Sequence, residues 1–222
     1  MTAAAPYVFK RTFMQKLWYA LFRLIGWKAE YHDPGTNKYI CVVWPHTSNL
    51  DFFIGFIFSR AYPLPNPNFF AKDSVFKSWL GPLARKVGGI PVIRDRSTNF
   101  VDQVAAEFQR RDHIMIAITP EGTRKLTEYW RSGFYYMALA AKIPLVLASM
   151  DYSKHLIIYG KTLMPTGDLD ADLERIREFY AGVVGRHIER QGEIRVRPSS
   201  DEKPTGTDGT DVAGAETSGA TS

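Results

Sequence analysis

The sequence predicts an α/β domain in which a mainly parallel sheet is flanked by helices. Short apolar runs of strand length alternate with longer segments of helical period along most of the chain, and no segment repeats. That alternation is typical of parallel strands joined through helices. The chain has 222 residues, 45% of them hydrophobic, which suffices for one domain with a sizeable core.

The predicted elements begin with an amino-terminal helix between Phe9 and Trp27. Three prolines within residues 62–68 exclude both regular structures there and predict a loop. Ser97 or Thr98 is placed to cap a helix whose apolar positions between residues 100 and 108 follow the period of 3.6. The other predicted helices cover residues 50–60, 74–87, 130–141 and 170–190, and the predicted strands cover residues 38–44, 69–71, 90–93, 113–118, 144–150 and 155–159.

The amino-terminal helix allows two interpretations. Its apolar run is interrupted by Arg23 and preceded by Lys10, Arg11 and Lys16, so it falls short of the roughly 18 to 20 apolar residues of a spanning helix. No small-residue cleavage site follows it, so we do not expect a signal peptide. A wide apolar face bordered by basic and aromatic residues suits a helix lying in a membrane interface. A helix packed on the domain's own core fits equally well, and the two are compatible.

Composition divides the chain into three regions, at residues 1–35, 36–197 and 198–222. The last region is rich in Gly, Ser, Thr, Ala and Asp, which predicts a disordered tail. The whole chain carries a net charge of +5, but the tail holds five acids and one base. Without it, 27 basic and 18 acidic residues leave a net charge of +9, which favours an anionic partner. The single cysteine, Cys41, lies in an apolar strand and fits a reducing, cytoplasmic setting.

Candidate site residues follow several of the predicted strands. His46 follows the strand at 38–44 with only Pro45 between them, and Asp51 lies five positions later at the start of a helix. A histidine oriented by a carboxylate is the minimum equipment for taking a proton from a hydroxyl. Arg94, Arg96 and Arg124 follow later strands and are candidates to bind a phosphate, since guanidinium groups donate in a planar, bidentate fashion.

Neighbours of Arg124 in residues 119–124 add further candidates. Glu121 is either a substrate hydrogen-bond acceptor or an ion-pair partner of Arg124, and Gly122 allows close backbone approach. The segment 142–147, which enters a buried strand, is interpreted as architectural.

Taken in order, these segments resemble the four blocks of the glycerolipid acyltransferase family, of the 1-acylglycerol-3-phosphate acyltransferase type. Residues 46–51 resemble its His-x-x-x-x-Asp block, and residues 89–94 are similar to its second block, with Arg94 at the arginine position. Residues 120–124 match the third block, Pro-Glu-Gly-Thr-Arg, without a change, and residues 143–146 resemble the fourth. The resemblance runs from about residue 39 to residue 151, and four blocks in order are a specific signal.

The resemblance implies an acyltransferase domain at residues 36–197 that moves a fatty acyl group to a lysophospholipid hydroxyl. His46 is then the base and Asp51 its orienting partner, while Arg94, Glu121, Gly122, Thr123 and Arg124 bind substrate. The donor is acyl-CoA or acyl carrier protein, with no metal or other cofactor, and the protein associates peripherally with the cytoplasmic face of a membrane. Pro91 and Ile93 depart from the usual second block, and Asp95-Arg96 leaves open which arginine faces the substrate.

Several alternatives accompany this prediction. The acceptor could be a lipid without glycerol. The chain could also be a basic membrane-surface module without catalysis. A nucleic-acid-binding role is disfavoured because the basic residues of the chain are dispersed and form no runs. A serine hydrolase using Ser48 lacks the Gly-x-Ser-x-Gly turn. The remaining histidines are scattered without paired ligand spacing, which argues against a metal-dependent hydrolase.

Overall fold

The computed structural model describes residues 9–79, 81–86, 88–92 and 100–197. Strands and helices alternate through these residues as the sequence predicts. The strands are β1 Lys28–Tyr31, β2 Lys38–Trp44, β3 Phe69–Lys72, β4 Gly89–Val92, β5 Ile114–Ile118, β6 Leu145–Asp151 and β7 Leu156–Leu163. The helices are α1 Phe13–Leu24, α2 Leu50–Ala61, α3 Asp73–Lys77, α4 Gly81–Lys86, α5 Phe100–Arg110, α6 Gly133–Ala141 and α7 Leu169–Tyr180, with a 3₁₀ turn at Ile188–Arg190.

The main sheet has five strands in the order β1-β7-β6-β2-β5. β2 pairs in parallel with both β5 and β6, and β1 pairs in parallel with β7, whereas β6 and β7 form an antiparallel hairpin. β3 and β4 make a separate parallel pair, and Asn68 bridges it to Ile116 of β5. The carboxyl ends of β2, β5 and β6 therefore meet at one edge of the sheet, where parallel α/β sheets bind ligands.

Two hydrophobic cores cover the two faces of the main sheet, as expected for an α/β/α arrangement. Alternate side chains of β2 point to opposite faces, with Ile40 and Val42 in one core and Tyr39 and Cys41 in the other. The first core contains the apolar faces of α5, α6 and α7, and the second contains those of α1 and α2. Because both faces are covered, β6 is buried along its whole length. β2 and β6 thus form a rigid base for the residues that follow them.

The amino-terminal helix α1 packs on the domain beside α2. Thr12 caps it in a reciprocal capping box with Gln15. Phe22 is fully buried against Phe58 of α2, and Trp18 meets Phe56 edge to face at 5.8 Å. The packed interpretation of this helix is therefore confirmed for one of its faces. No helix among the described residues has the length and apolar character needed to cross a membrane.

Several elements differ from the sequence prediction for local physical reasons. The helix predicted at 74–87 divides into α3 and α4, because Gly81 approaches Phe76 so closely that a Cβ at Gly81 would lie 2.3 Å from the Phe76 carbonyl oxygen. α6 begins at Gly133 because Trp130 pairs instead with Val196 in an isolated parallel bridge. α7 ends at Tyr180, since Ala181 is extended and Gly182 has a positive φ of 74°.

The sheet is also larger than predicted. β1 was not predicted as a strand; it lies within the first 35 residues and adds to the edge of the sheet through β7. The strand predicted at 155–159 continues to Leu163, where it pairs with Leu145. The proposed caps Ser97 and Thr98, and the tail at 198–222, lie outside the described residues.

Candidate active site

His46 and Asp51 lie together at the corner between β2 and α2. His46 Nδ1 is 3.1 Å from Asp51 Oδ2, and the side chains of His46 and Asp51 are 19% and 4% exposed. A carboxylate only accepts hydrogen bonds, so this contact places the proton of the neutral imidazole on Nδ1. Nε2 is then left with a free lone pair. The corner can thus supply a base whose orientation is fixed by a buried carboxylate.

Asp51 is held by more donors than the histidine alone. Its Oδ2 accepts hydrogen bonds from the backbone N–H groups of Thr47 and Ser48, each at 2.9 Å, and its Oδ1 accepts one from Tyr152 Oη at 2.6 Å. Burial by itself raises the pKa of a carboxyl, but the hydrogen bonds from His46, Tyr152 and Ser48 outweigh it and keep the pKa of Asp51 below its ordinary value. Asp51 is therefore ionised when it faces His46.

Glu121 lies behind the corner, with 2% of its surface exposed. Its Oε2 accepts a hydrogen bond from the backbone N–H of His46 at 3.0 Å, and its Oε1 accepts one from Trp44 Nε1 at 3.1 Å. The sequence left two roles open for Glu121, an ion-pair partner of Arg124 and a substrate hydrogen-bond acceptor. The structure shows no ion pair between Glu121 and Arg124, and both oxygens of Glu121 already accept hydrogen bonds from the protein. The carboxylate instead connects the loop after β5 to the backbone N–H of His46 and the side chain of Trp44. Burial raises the pKa of Glu121 to about 7, against the opposing effect of the His46 and Trp44 hydrogen bonds.

The raised pKa of Glu121 predicts a pH-dependent contribution to stability. Between its ordinary pKa of 4.5 and its folded-state pKa of about 7, the folded state binds more protons at Glu121 than the unfolded state does. The contribution of Glu121 to the free energy of unfolding is therefore fully present at low pH and is lost as the pH rises through about 7. Relative to Glu121→Gln, we expect the wild type to lose about 2 kcal/mol of unfolding free energy from pH 5 to pH 8.

Urea unfolding of both proteins across that range measures this difference. Glu128→Gln removes an exposed carboxylate from the same loop and controls for the loss of one negative charge. A difference between wild type and Glu121→Gln that stays constant from pH 5 to pH 8 would show that Glu121 titrates alike in both states.

A cavity of about 470 Å³ opens beside His46 and contains both charge and apolar surface. It is lined by His46, Asn49, Phe52, Phe53 and Arg124. Among the residues that the structure describes, no carboxylate forms an ion pair with Arg124, so its guanidinium is available to an anion. Phe52 and Phe53 are 68% and 57% exposed. The cavity can hold an anionic group near Arg124 and an apolar chain along Phe52 and Phe53, and His46 lines the same space.

The remaining predicted site residues are placed as follows. Gly122 has a φ of 66°, and the Arg131 side chain lies so close that a Cβ would come within 2.9 Å of its Nε. Thr123 Oγ1 accepts a hydrogen bond from the backbone N–H of Lys125. Arg94 and Arg96 lie outside the described residues. Gly122 and Thr123 thus shape the loop that carries Arg124.

Ser48 has a structural role in this corner. Its Oγ accepts a hydrogen bond from the backbone N–H of Leu50 at 3.2 Å, at the start of α2. The hydroxyl oxygen of Ser48 thus helps to hold the first turn of α2. Across the described ranges, no group of three or more His, Cys, Asp or Glu side chains is arranged to hold a metal ion.

Sequence reasoning missed Trp44 and Tyr152, both of which contact the site's carboxylates. Tyr152 directly follows β6, and β6 runs parallel to β2, so both strands end at the same edge of the sheet. That topology was the available signal, because the residue after any parallel strand is a candidate for the same site. The segment before β6 was interpreted as architectural, and the buried Ile143 agrees with that interpretation.

Comparisons with known proteins relate the chain to a protein family and to a solved structure. Residues 29–151 match the model of a family described as "Acyltransferase". Among solved structures, the chain is similar to the 1-acyl-sn-glycerophosphate (LPA) acyltransferase PlsC from Thermotoga maritima, with 14% identity and a TM-score of 0.47 over 75% of this chain and 74% of that chain. None of the curated proteins matches the chain.

Proposed function

The chain belongs to the acyltransferase family, and we propose that it transfers a fatty acyl group from an acyl thioester to the hydroxyl of a lysophospholipid such as 1-acylglycerol 3-phosphate. The observation that carries this proposal is the 3.1 Å contact between His46 Nδ1 and Asp51 Oδ2 at the wall of a cavity that also contains Arg124. A fixed base supplies the chemistry, and the guanidinium supplies the affinity for phosphate.

In the proposed mechanism, His46 Nε2 removes the proton of the acceptor hydroxyl while that oxygen attacks the thioester carbonyl carbon. Asp51 stabilises the imidazolium that results. The tetrahedral intermediate then collapses, the carbon–sulfur bond breaks, and the thiolate takes the proton from Nε2. The acyl group ends on the acceptor oxygen and the free thiol is released, without any covalent acyl-enzyme. The donor is acyl-CoA or acyl carrier protein.

The backbone around His46 limits where the oxyanion can be stabilised. The N–H group of His46 donates to Glu121, and those of Thr47 and Ser48 donate to Asp51. These three groups hold the catalytic pair in place and are already occupied. The oxyanion donors are therefore other groups at the cavity wall.

Arg124 orients the acceptor by binding its phosphate, with Arg94 as a second proposed phosphate contact. Because Arg124 and His46 line the same cavity, a phosphate held by Arg124 leaves the neighbouring glycerol hydroxyl within the same space as Nε2. Holding the hydroxyl there lowers the entropic cost of the transfer. Thr123 and Gly122 contribute by shaping the loop around Arg124.

Acyl transfer by the purified protein tests this function directly. We expect free thiol release from acyl-CoA or acyl carrier protein to depend on the acceptor, and to be at least about tenfold faster with lysophosphatidic acid than with a monoacylglycerol, because one charge-assisted pair with Arg124 is worth about that factor. Arg124→Ala should remove most of that preference. Lys125→Ala, an exposed neighbour outside the cavity, is the matched control.

Two other outcomes would point elsewhere. Equal rates with phosphorylated and neutral acceptors would favour a lipid acceptor without glycerol phosphate. Binding to anionic vesicles with no thiol release from either donor would favour a membrane-surface module without catalysis.

We also propose that the protein works peripherally at the cytoplasmic face of a membrane, where its thioester donors are made. Support comes from an apolar surface on α1 and α2 that we call the α1–α2 surface. Its exposed members are Phe13, Met14, Leu17, Leu21, Leu24 and Ile25 of the α1 region and Leu50, Phe52, Phe53 and Phe56 of α2. Phe52 and Phe53 also line the cavity, so the surface leads directly to His46. A lipid acceptor could thus pass from a bilayer to the base along apolar contacts.

A further inference from the structure

Tyr152 contacts the carboxylate that orients His46, although it belongs to none of the four sequence blocks. Its hydroxyl donates to Asp51 Oδ1 at 2.6 Å, while His46 lies against the other oxygen, Oδ2. The two backbone donors, Thr47 and Ser48, also use Oδ2. Among the residues that the structure describes, Tyr152 is therefore the hydrogen-bond partner of Oδ1. Without it, nothing in the described corner fixes the rotation of the carboxylate from that side.

The position of Tyr152 is itself fixed by two contacts of its own and by the hydrogen-bonded turn that follows it. Its backbone N–H donates to the Val184 carbonyl at 2.8 Å, and its ring meets Trp27 edge to face with 5.0 Å between centroids. The turn that follows is held by Asp151, whose Oδ1 accepts from Ser153 Oγ at 2.6 Å and from Ser153 N at 2.9 Å. A side chain secured in this way costs little entropy when it donates to Asp51.

We propose that Tyr152 is a positioning residue for acyl transfer, which holds the second oxygen of Asp51 so that the first remains aligned with His46. The proposal rests on the proposed function. It assigns no contact between Tyr152 and substrate, because the hydroxyl is already used by Asp51. Through Tyr152, the end of β6 and the segment at Val184 help to position His46, which lies between β2 and α2.

Electrostatics agree with this geometry. The hydrogen bond from Tyr152 helps to keep the pKa of Asp51 below its ordinary value, and burial, together with the Asp51 carboxylate, raises the pKa of Tyr152, so the phenol remains a donor. The other charged or titratable groups that act on this pair are His46 beside Asp51, Glu121 behind the corner and Arg186 near Tyr152. Removing the phenol hydroxyl should therefore let Asp51 keep its proton to higher pH.

Tyr152→Phe tests the proposal by kinetics and by titration. We expect kcat to fall about tenfold with little change in KM, the loss expected for one hydrogen bond to a charged group. The acid limb of the kcat profile should move to higher pH. In a carbon-13 NMR titration of the Asp51 carboxyl, assigned with Asp51→Asn, the midpoint should also rise. Tyr39→Phe is the matched control, because it removes another buried tyrosine hydroxyl, which is paired with Tyr159 Oη at 2.7 Å outside the site. It should leave kcat, the acid limb and the Asp51 midpoint unchanged.

A second variant, which strengthens the hydrogen bond from residue 152 instead of removing it, distinguishes positioning from a general effect on folding. A 3,5-difluorotyrosine at position 152 is a stronger donor, so the Asp51 midpoint should move down instead of up. An unchanged midpoint in both Tyr152 variants would overturn the proposal, as would an unchanged kcat and acid limb in an active enzyme. The titration needs no turnover, so a wild type without acyl transfer would refute the proposed function and still leave the Tyr152 result readable.

Discussion

Replacing His46 by alanine should lower the rate of acyl transfer at least about 10³-fold, since the variant loses the group that takes the hydroxyl proton. The remaining residues of the cavity still bind donor and acceptor, so KM should change little. Thiol release from acyl-CoA in the presence of lysophosphatidic acid measures the effect. A variant that keeps a tenth of the wild-type rate would contradict the assignment of His46 as the base.

The fold should survive this substitution, which makes the loss of activity interpretable. His46 is partly exposed at the cavity wall, and Asp51 keeps its hydrogen bonds from Thr47, Ser48 and Tyr152 when the imidazole is removed. The buried carboxylate is therefore not left without partners, the situation in which such a change becomes costly. His113→Ala removes an exposed histidine at the amino end of β5, on the opposite edge of the sheet, and should keep full activity.

The elements that sequence could predict are those determined by local pattern. From Tyr39 onwards β2 is an uninterrupted apolar run that is covered on both faces, and its predicted bounds, 38–44, are those of the structure. The polar residues that follow Pro45 mark the corner, and this placed His46 and Asp51 in one candidate site. Both inferences need only the order of residues along the chain and the geometry of a strand followed by a helix.

Other features depended on contacts between distant segments. β1 is a four-residue strand with an exposed–buried pattern that becomes a strand only by pairing with β7, more than 120 positions later. The role of Glu121 depends on two hydrogen-bond donors, Trp44 Nε1 and the backbone N–H of His46. No pattern within residues 119–124 reveals these partners. Tyr152 joins the site because β6 and β2 are neighbours in the sheet. The strand β1 and the contacts of Glu121 and Tyr152 thus depend on which strands are neighbours in the sheet, and the spacing of residues along the chain does not reveal them.

The α1–α2 surface gives the second large expected effect, on membrane binding. Leu17 and Leu24 are 58% and 82% exposed on the outer side of α1, while Phe22 on the inner side is buried. Changing both leucines to aspartate removes two apolar anchors and adds two negative charges, so binding to vesicles of phosphatidylglycerol and phosphatidylcholine should weaken at least about a hundredfold. Co-sedimentation over a range of lipid concentrations measures this change.

Catalysis separates a membrane role of this surface from a structural one. Because Leu17 and Leu24 lie outside the cavity, the double variant should transfer acyl groups normally to a short-chain acceptor dissolved in water and fail only when the acceptor is embedded in vesicles. Met164→Asp changes a residue of similar exposure, 51%, just after β7, at the sheet edge opposite the site, and should bind vesicles like the wild type. Equal vesicle binding by all three proteins would mean that α1 serves only to cover α2. The exposed apolar residues would then need another explanation, because a helix that only completes the core has no requirement for them on its outer side.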